Sequence, residues 1–68
     1  MSTEELLEEC LKMKKNESKT FQLDAAPQRG ELGYLEVQFI LARKQEGLQV
    51  SFLRNGLQIV AHCYAAKQ

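Results

Sequence analysis

Apolar and polar residues alternate along the last third of the chain in the pattern of a β-hairpin. The alternation covers residues 48–54, pauses at Asn55-Gly56 and resumes over residues 57–64, which predicts two antiparallel strands. Asn-Gly favours a two-residue type I′ loop, because both positions of that loop need a positive φ. Such a loop sets Phe52 opposite Ile59 and places both side chains on the buried face.

Two earlier segments alternate in the same way. Every second residue is apolar over residues 34–43, which predicts the longest strand of the domain, and a shorter alternation predicts a strand at about 20–24. Residues 25–33 contain one proline and two glycines and predict an exposed loop. Residues 44–47 predict a hairpin loop that ends with a left-handed Gly47. The apolar residues of the longest predicted strand are Leu35, Val37, Phe39 and Leu41.

The first segment has the period of an amphipathic helix, predicted over about residues 2–15. Ser2 suits the N-cap position and Glu5 the third helical position, which together predict a capping box. One stripe of this helix is apolar and therefore expected to be buried. The residues of that stripe are Leu6, Leu7, Cys10, Leu11 and Met13.

Together these elements predict an α+β fold, an N-terminal helix packed on one face of a four-stranded antiparallel meander sheet (αββββ). With 68 residues the chain is expected to form one domain, and a domain of this size buries only about 60% of its unfolded surface. Oligomerisation is one of the few ways in which such a small domain is reinforced.

Composition predicts a soluble, cytoplasmic protein without a metal or cofactor. Two cysteines and one histidine are too few for a structural zinc site, and reduced thiols are typical of the cytosol. No apolar run approaches the roughly 18 residues of a membrane span, and Met1 is followed by an acidic stretch rather than a signal peptide. Nine basic and nine acidic residues cancel, which removes the simplest argument for nonspecific nucleic-acid binding.

No arrangement of side chains predicts an enzyme. His62 and Cys63 are adjacent, but neighbouring residues of a strand point to opposite faces, so the histidine is not placed to activate the thiol. Cys10 and Cys63 both fall on the predicted core face, where they are expected to act as small apolar fillers. A redox pair is the alternative for these two residues.

The last strand is the predicted binding site. In a four-stranded meander it lies at an edge, and residues 55–66 contain no charged residue and no proline to protect it. The alternative is that the first strand, around Phe21, folds round to cover this edge. The helix-free face of the sheet is expected to carry a small apolar patch as well. The predicted partner-binding residues are Ile40, Leu53, Gln58, Val60, His62 and Tyr64.

These features predict a small non-enzymatic protein-interaction module, a homodimeric cytosolic regulator, adaptor or inhibitor of another protein. The competing hypothesis is a single-stranded nucleic-acid-binding protein, because small sheets bind single strands through exposed aromatic residues flanked by basic ones. The residues expected to serve that alternative, on the helix-free face and at strand ends, are Tyr34, Arg43, Arg54 and Tyr64.

Overall fold

The computed structural model describes residues 1–66, which form two helices and one three-stranded antiparallel sheet. The α+β class and the antiparallel sheet are therefore confirmed, whereas the four-stranded meander is not. No helix within residues 1–66 is long and apolar enough to cross a membrane. The elements are α1 (Thr3–Cys10), β1 (Ser18–Gln22), α2 (Glu31–Ala42), a 3₁₀ turn (Lys44–Glu46), β2 (Leu48–Asn55) and β3 (Gln58–Ala65).

The first helix, α1, begins as its sequence predicts and ends earlier. Ser2 Oγ accepts a hydrogen bond from the amide of Glu5 (3.2 Å), and the Glu5 carboxylate accepts one from the amide of Ser2 (2.9 Å), so the predicted capping box is present. The helix was expected to reach residue 15 but ends at Cys10. The amide of Met13 bonds to the Cys10 carbonyl only three residues back, and Asn16 then takes a left-handed φ of 69°. This turn directs the chain into β1.

The prediction that residues 34–43 form the longest strand is wrong, because these residues lie in α2 and its C-cap. Leu35 and Phe39, four residues apart, are the buried residues of α2, which is the spacing of one helix face. The alternation depended on Val37 and Leu41, and these two side chains are 52% and 61% exposed. A segment that is apolar on nearly every side matches both periods, so alternation alone does not separate strand from helix here.

Contacts at the start of α2 shorten the predicted loop of residues 25–33. The Glu31 carboxylate accepts hydrogen bonds from Thr3 Oγ1 and, at 2.8 Å, from the amide of Gln28. These two bonds lower the pKa of Glu31 below its ordinary value. Gly30 provides the N-cap with a left-handed φ of 82°, and Gly33 lies within the helix. The predicted loop residues 31–33 are thus helical.

The last strand, β3, lies in the centre of the sheet, whose order is β1-β3-β2. Ser18 of β1 stands opposite His62, and Ser51 of β2 stands opposite the same residue from the other side. The prediction that the last strand is an edge is wrong, and the alternative, that the first strand covers it, is confirmed. Because β1 supplies a second set of main-chain partners, β3 needs no charged residue to protect it.

The β2–β3 hairpin is confirmed, with its loop one residue later than predicted. Asn55 pairs with Gln58, which leaves Gly56 and Leu57 in the loop. The first loop residue, Gly56, has a positive φ of 65°. The second, Leu57, does not, because Asn16 is the only non-glycine residue among 1–66 with a positive φ. Glycine at the first loop position is the preference of type II′ rather than type I′. Phe52 therefore faces Ala61 instead of Ile59, and this two-residue shift leaves every side chain on its predicted face.

The core lies between the sheet and the two helices. Gly47, left-handed as predicted with a φ of 68°, ends the 3₁₀ turn between α2 and β2 rather than a β-hairpin. The turn brings α2 back over β2, against which it packs. The buried hydrophobic residues are Leu6, Cys10, Met13, Leu23, Leu35, Phe39, Leu48, Val50, Ile59, Ala61 and Cys63.

Candidate interaction surfaces

The outer side of α2 carries an apolar stripe formed by Tyr34, Val37 and Leu41, called the α2 stripe below. The three side chains are 62%, 52% and 61% exposed. Their spacing of three and four residues aligns them on one face, on the side of the helix opposite the buried Phe39. The two acidic residues of α2, Glu31 and Glu36, both lie within a quarter turn of Phe39 by the same geometry. The stripe is therefore free of charge.

Burial of the α2 stripe would stabilise any complex that covered it. Transfer of a valine or leucine side chain out of water contributes about 1.5–3 kcal/mol when burial is complete. Single exposed apolar residues are common on protein surfaces, but a contiguous group of them indicates a contact site. The stripe supplies three neighbouring residues of this kind on one rigid element.

Among residues 1–66, the sheet face opposite the core, called the open sheet face, contains no Asp, Glu, Lys or Arg. Strand alternation and the register of the three strands define its members. Its surface is hydrogen-bonding but uncharged, with Leu53 as its most exposed apolar residue at 72%. The residues of the open sheet face are Ser18, Thr20, Gln22, Gln49, Ser51, Leu53, Asn55, Gln58, Val60, His62 and Tyr64.

Most of the predicted partner-binding residues lie together on the open sheet face. Leu53 and Thr20 stand on either side of Val60 in one cross-strand row. Gln58, His62 and Tyr64 belong to the same face. Ile40 does not, because it lies in α2 on the far side of the sheet. The predicted patch of Ile40, Leu53 and Val60 is therefore not formed, since it required residues 34–43 to be a strand.

A polar network on the open sheet face includes two residues, Ser18 and Gln49, that sequence reasoning missed. Ser18 Oγ lies 2.6 Å from His62 Nδ1, and the His62 ring stacks on Tyr64 with centroids 5.9 Å apart. Tyr64 in turn donates to Gln49 Oε1 at 3.1 Å. Ser18 is separated from His62 by 44 positions, so only the strand register brings them together.

The Ser18–His62 contact resembles two parts of a catalytic constellation without the third. Activation of a serine by histidine depends on a further group that orients the imidazole. No acidic residue occupies the open sheet face among residues 1–66, and the stacking partner of His62 is an aromatic ring. The geometry supports a network that orders four side chains, Ser18, His62, Tyr64 and Gln49.

The residues predicted for nucleic-acid binding do not form one surface. Tyr34 belongs to the α2 stripe and Tyr64 to the open sheet face, on opposite sides of the sheet. Arg54 lies at the end of β2, and its Nε donates to the Gly56 carbonyl at 2.9 Å. By alternation Arg54 projects to the helix side, away from Tyr64. A single strand could not contact both tyrosines and both arginines along one path.

Arg43, the fourth residue predicted for nucleic-acid binding, is held by hydrogen bonds to other residues of the fold. Its Nη1 donates to the carbonyls of Leu11 (2.7 Å) and Met13 (3.1 Å), at the end of α1. Nε and Nη2 donate to the two carboxylate oxygens of Glu46, each at 2.7 Å. The guanidinium also lies 5.7 Å from the Phe39 ring centroid. The bond to Glu46 raises the pKa of Arg43 and lowers that of Glu46.

The two cysteines are buried, unpaired thiols. Burial, followed by the proximity of Cys63, raises the pKa of Cys10 to about 12. Burial also raises the pKa of Cys63. Because the thiolate is the reactive form, both side chains are poor nucleophiles at neutral pH. Within residues 1–66, no three His, Cys, Asp or Glu side chains are placed to hold a metal ion.

The outer edge of β2, called the β2 edge, has main-chain groups that do not pair with β3, but it is largely covered, since Leu48 and Val50 are only 6% and 3% exposed. The hydrogen bond from the Ala66 amide to the Gly47 carbonyl continues the β2–β3 register, so the amides and carbonyls of Val50 and Phe52 point away from β3. The side chains of β2 include one charged residue, Arg54, and no proline. By comparison, β1 carries a lysine in its short outer strand, a common form of edge protection.

Within residues 1–66, two features therefore remain available for contact: the α2 stripe and the open sheet face. The α2 stripe has the higher density of exposed apolar side chains. No protein-family model, curated protein or solved structure matches this chain.

Proposed function

We propose that this chain is a small, non-enzymatic protein-interaction module, a regulator, adaptor or inhibitor of another protein, that binds through the α2 stripe. The observation that carries the proposal is the exposure of Tyr34, Val37 and Leu41, each more than half accessible on a helix face without charge. Residues at i, i+3 and i+7 are the anchors that helices use when they dock on another protein.

The fold does not account for the apolar character of the stripe. Leu35 and Phe39 already supply the contacts of α2 with the core and are 4% and 0% exposed. On a helix whose only task is to cover a sheet, the opposite face is normally charged or polar. Binding explains why Val37 and Leu41 stand where a soluble helix usually carries lysine or glutamate.

The chemistry of the remaining side chains supports binding rather than catalysis. The buried thiols suit a reducing compartment such as the cytoplasm, where they would stay unpaired. In the part of the chain that the structure describes, the Ser18–His62 pair has no acidic neighbour on its face. Nucleic-acid binding has weaker support, because Arg43 is committed to Leu11, Met13 and Glu46.

Affinity capture with three matched baits tests the proposal. The wild-type chain, Val37→Glu and Leu53→Glu are immobilised, and the retained proteins are quantified by mass spectrometry. Leu53 is the control because it is also apolar and 72% exposed, but lies on the open sheet face. We expect specific proteins, including the chain itself if it self-associates, to be retained by wild type and by Leu53→Glu and lost from Val37→Glu.

Circular dichroism and thermal unfolding establish that all three baits are folded. The proposal fails if the three baits retain the same proteins, or if Leu53→Glu loses them while Val37→Glu keeps them. Retention of RNA or DNA in place of proteins would also contradict it.

A further inference from the structure

We propose that an acidic, extended segment of a partner protein adds to the sheet as a fourth strand along the outer side of β1. This side borders the open sheet face, to which Ser18 and Thr20 belong, and is called the β1 margin below. The inference goes beyond the proposed function and does not depend on the α2 stripe. It depends on the outward main-chain groups of β1, on a strand contact that Met1 makes beside it, and on the local charge.

The pairing of β1 with β3 leaves the main-chain groups of Ser18 and Thr20 pointing outward. The Cys63 amide donates to the Glu17 carbonyl at 2.8 Å, so Glu17 bonds to β3. The bonding direction alternates along an antiparallel strand, and therefore Lys19 also bonds to β3 whereas Ser18 and Thr20 face away from it. Both of these residues are exposed. Their outward amides and carbonyls thus lie at the surface, where a further strand can reach them.

The outer side of β1 already accepts a main-chain partner at its C-terminal end. The Met1 amino group donates to the Gln22 carbonyl at 3.0 Å, and the Asp24 amide donates to the Met1 carbonyl at 2.9 Å. Gln22 and Asp24 belong to the same outward row of main-chain groups as Ser18 and Thr20. The row is therefore able to form the hydrogen bonds of a sheet, and an extended segment in the same line would continue them along β1.

The strand that would receive this segment is held in place by the rest of the fold. Phe21 packs against the core, and all five residues of β1 pair with β3. Ser18 Oγ adds a contact of 2.6 Å with His62 Nδ1. A strand that is ordered before binding lowers the entropic cost of adding another strand to it.

The charge around the β1 margin favours an acidic segment. Residues 12–19 contain four lysines and one acidic residue, Glu17, although the chain has a formal net charge of zero. Lys14 and Lys15 are exposed in the turn that leads into β1. The Lys19 ammonium lies 3.9 Å from the Glu17 carboxylate, and its side chain is 43% exposed. Lysine at an edge disfavours pairing with chance strands, whereas a carboxylate opposite Lys19 would form a favourable cross-strand pair.

The two faces of the added strand would meet different surroundings. Its side chains alternate between the faces of the sheet. On the open sheet face they would lie beside Ser18 and Thr20, where uncharged polar residues fit. On the helix side they would lie beside Lys19, where acidic residues fit. The segment that suits the β1 margin therefore alternates acidic with uncharged polar residues.

Fluorescence anisotropy with three labelled peptides of equal length tests the strand addition. The first peptide alternates glutamate with threonine. The second has the same sequence with every main-chain amide methylated, which removes the donors of a sheet at unchanged charge. The third replaces glutamate by lysine and so reverses the charge. We expect saturable binding of the first peptide and binding at least about tenfold weaker for the other two.

Substitutions in the chain locate the site. Thr20→Pro removes an outward amide, a position at which an edge strand tolerates proline, and Lys19→Glu reverses the charge of the β1 margin. We expect each variant to bind the glutamate–threonine peptide about five- to tenfold more weakly. Thr20→Ala and Arg54→Glu are the matched controls, because Arg54 lies in β2, beyond the central strand β3, and both should stay within about twofold of wild type. Thermal unfolding shows which variants are folded, and Lys19→Glu decides alone if Thr20→Pro is not.

Amide hydrogen exchange tests the contact in the unsubstituted chain. We expect the amides of Ser18 and Thr20 to become protected as the glutamate–threonine peptide is added. The Lys19 amide, which points toward β3, is expected to be protected with and without peptide. Unchanged exchange of Ser18 and Thr20 at saturation would overturn the strand addition. Protection that rises with the concentration of the chain alone would replace the acidic segment by a second copy.

Three further results contradict the inference. They are the absence of saturable binding at high micromolar peptide, equal binding of the methylated peptide, and equal losses in Arg54→Glu and Lys19→Glu. Failure here is distinguishable from failure of the proposed function, because Val37→Glu leaves the β1 margin intact. We expect that variant to bind the glutamate–threonine peptide like wild type while it loses the proteins that the α2 stripe captures.

Discussion

The guanidinium of Arg43 donates a hydrogen bond to the carbonyl of Leu11, 32 positions earlier in the chain. Arg43 follows α2 and Leu11 follows α1, so this bond joins the ends of the two helices. The same side chain lies against Phe39 and is only 15% exposed. A residue that resembles a surface cation in the sequence is thus a structural connection between elements.

Replacement of Arg43 is expected to destabilise the fold. Hydrogen bonds to a charged group contribute about 1.5–3 kcal/mol, so Arg43→Met should lower the free energy of unfolding by about 2–3 kcal/mol. Lysine lacks the planar fork that reaches the Leu11 carbonyl and the Glu46 carboxylate together, and Arg43→Lys should recover only part of the loss. Urea unfolding measures the change, and Arg54→Met, at an exposed site, should stay within about 0.5 kcal/mol of wild type. Equal effects at the two arginines would contradict the helix connection.

Val37 and Phe39 distinguish the helix from the strand that alternation predicts. In α2 Phe39 is fully buried and Val37 is half exposed, whereas in a strand both would face the core. We expect Phe39→Ala to cost about 3–5 kcal/mol and Val37→Ala to cost about 0.5 kcal/mol or less. Chemical denaturation at low protein concentration separates this effect from any self-association. Similar large losses in both variants would support a strand.

The position of the β2–β3 loop predicts unequal effects at Asn55 and Gly56. Gly56 has a φ of 65°, and an alanine in the left-handed region costs roughly 1–2 kcal/mol. Asn55 pairs with Gln58 in the ladder, so Asn55→Ala should change stability by about 0.5 kcal/mol or less. Thermal unfolding of the two variants compares them directly. A larger loss for Asn55→Ala than for Gly56→Ala would place the loop one residue earlier.

Cys10 is expected to make the fold sensitive to alkaline pH. Its pKa is raised from 9.0 to about 12 by burial, so the folded state keeps the thiol protonated while the unfolded state ionises. The stabilising contribution is complete below pH 9 and is lost as the pH rises toward 12, at about 1.4 kcal/mol for each pH unit. Urea unfolding over this range should show a shallower decline for Cys10→Ala than for wild type. An identical decline in the two proteins would show that Cys10 does not cause it.

Patterns among neighbouring residues were sufficient to predict those elements for which the pattern fits only one type of secondary structure. Ser2 and Glu5 predict the start of α1 because their reciprocal hydrogen bonds involve only neighbouring residues. Residues 48–54 and 57–64 predict two strands because apolar side chains recur at alternate positions, from Leu48 to Phe52 and from Leu57 to Cys63. Gly56 marks the loop to within one residue, and the shift left the predicted faces intact.

The incorrect predictions concern choices that depend on distant residues. Val37 and Leu41 extended the apolar alternation over residues 34–43. The neighbouring sequence does not show that only Leu35 and Phe39 are buried against the rest of the fold. The pairing of β1 with β3 is a contact between Ser18 and His62 across most of the chain. This pairing decides which strand is central. Patterns among neighbouring residues therefore could not predict the central position of β3 or the Ser18–His62 contact.

The central position of β3 has a consequence for the order of folding. The β2–β3 hairpin closes over a two-residue loop, whereas β1 must return across 44 positions to reach His62. Contacts of such long sequence separation form late, because the cost of closing the loop precedes their gain. Until β1 docks, β3 exposes an uncharged edge to other nascent chains. Productive folding is therefore a competition between the arrival of β1 and aggregation through β3.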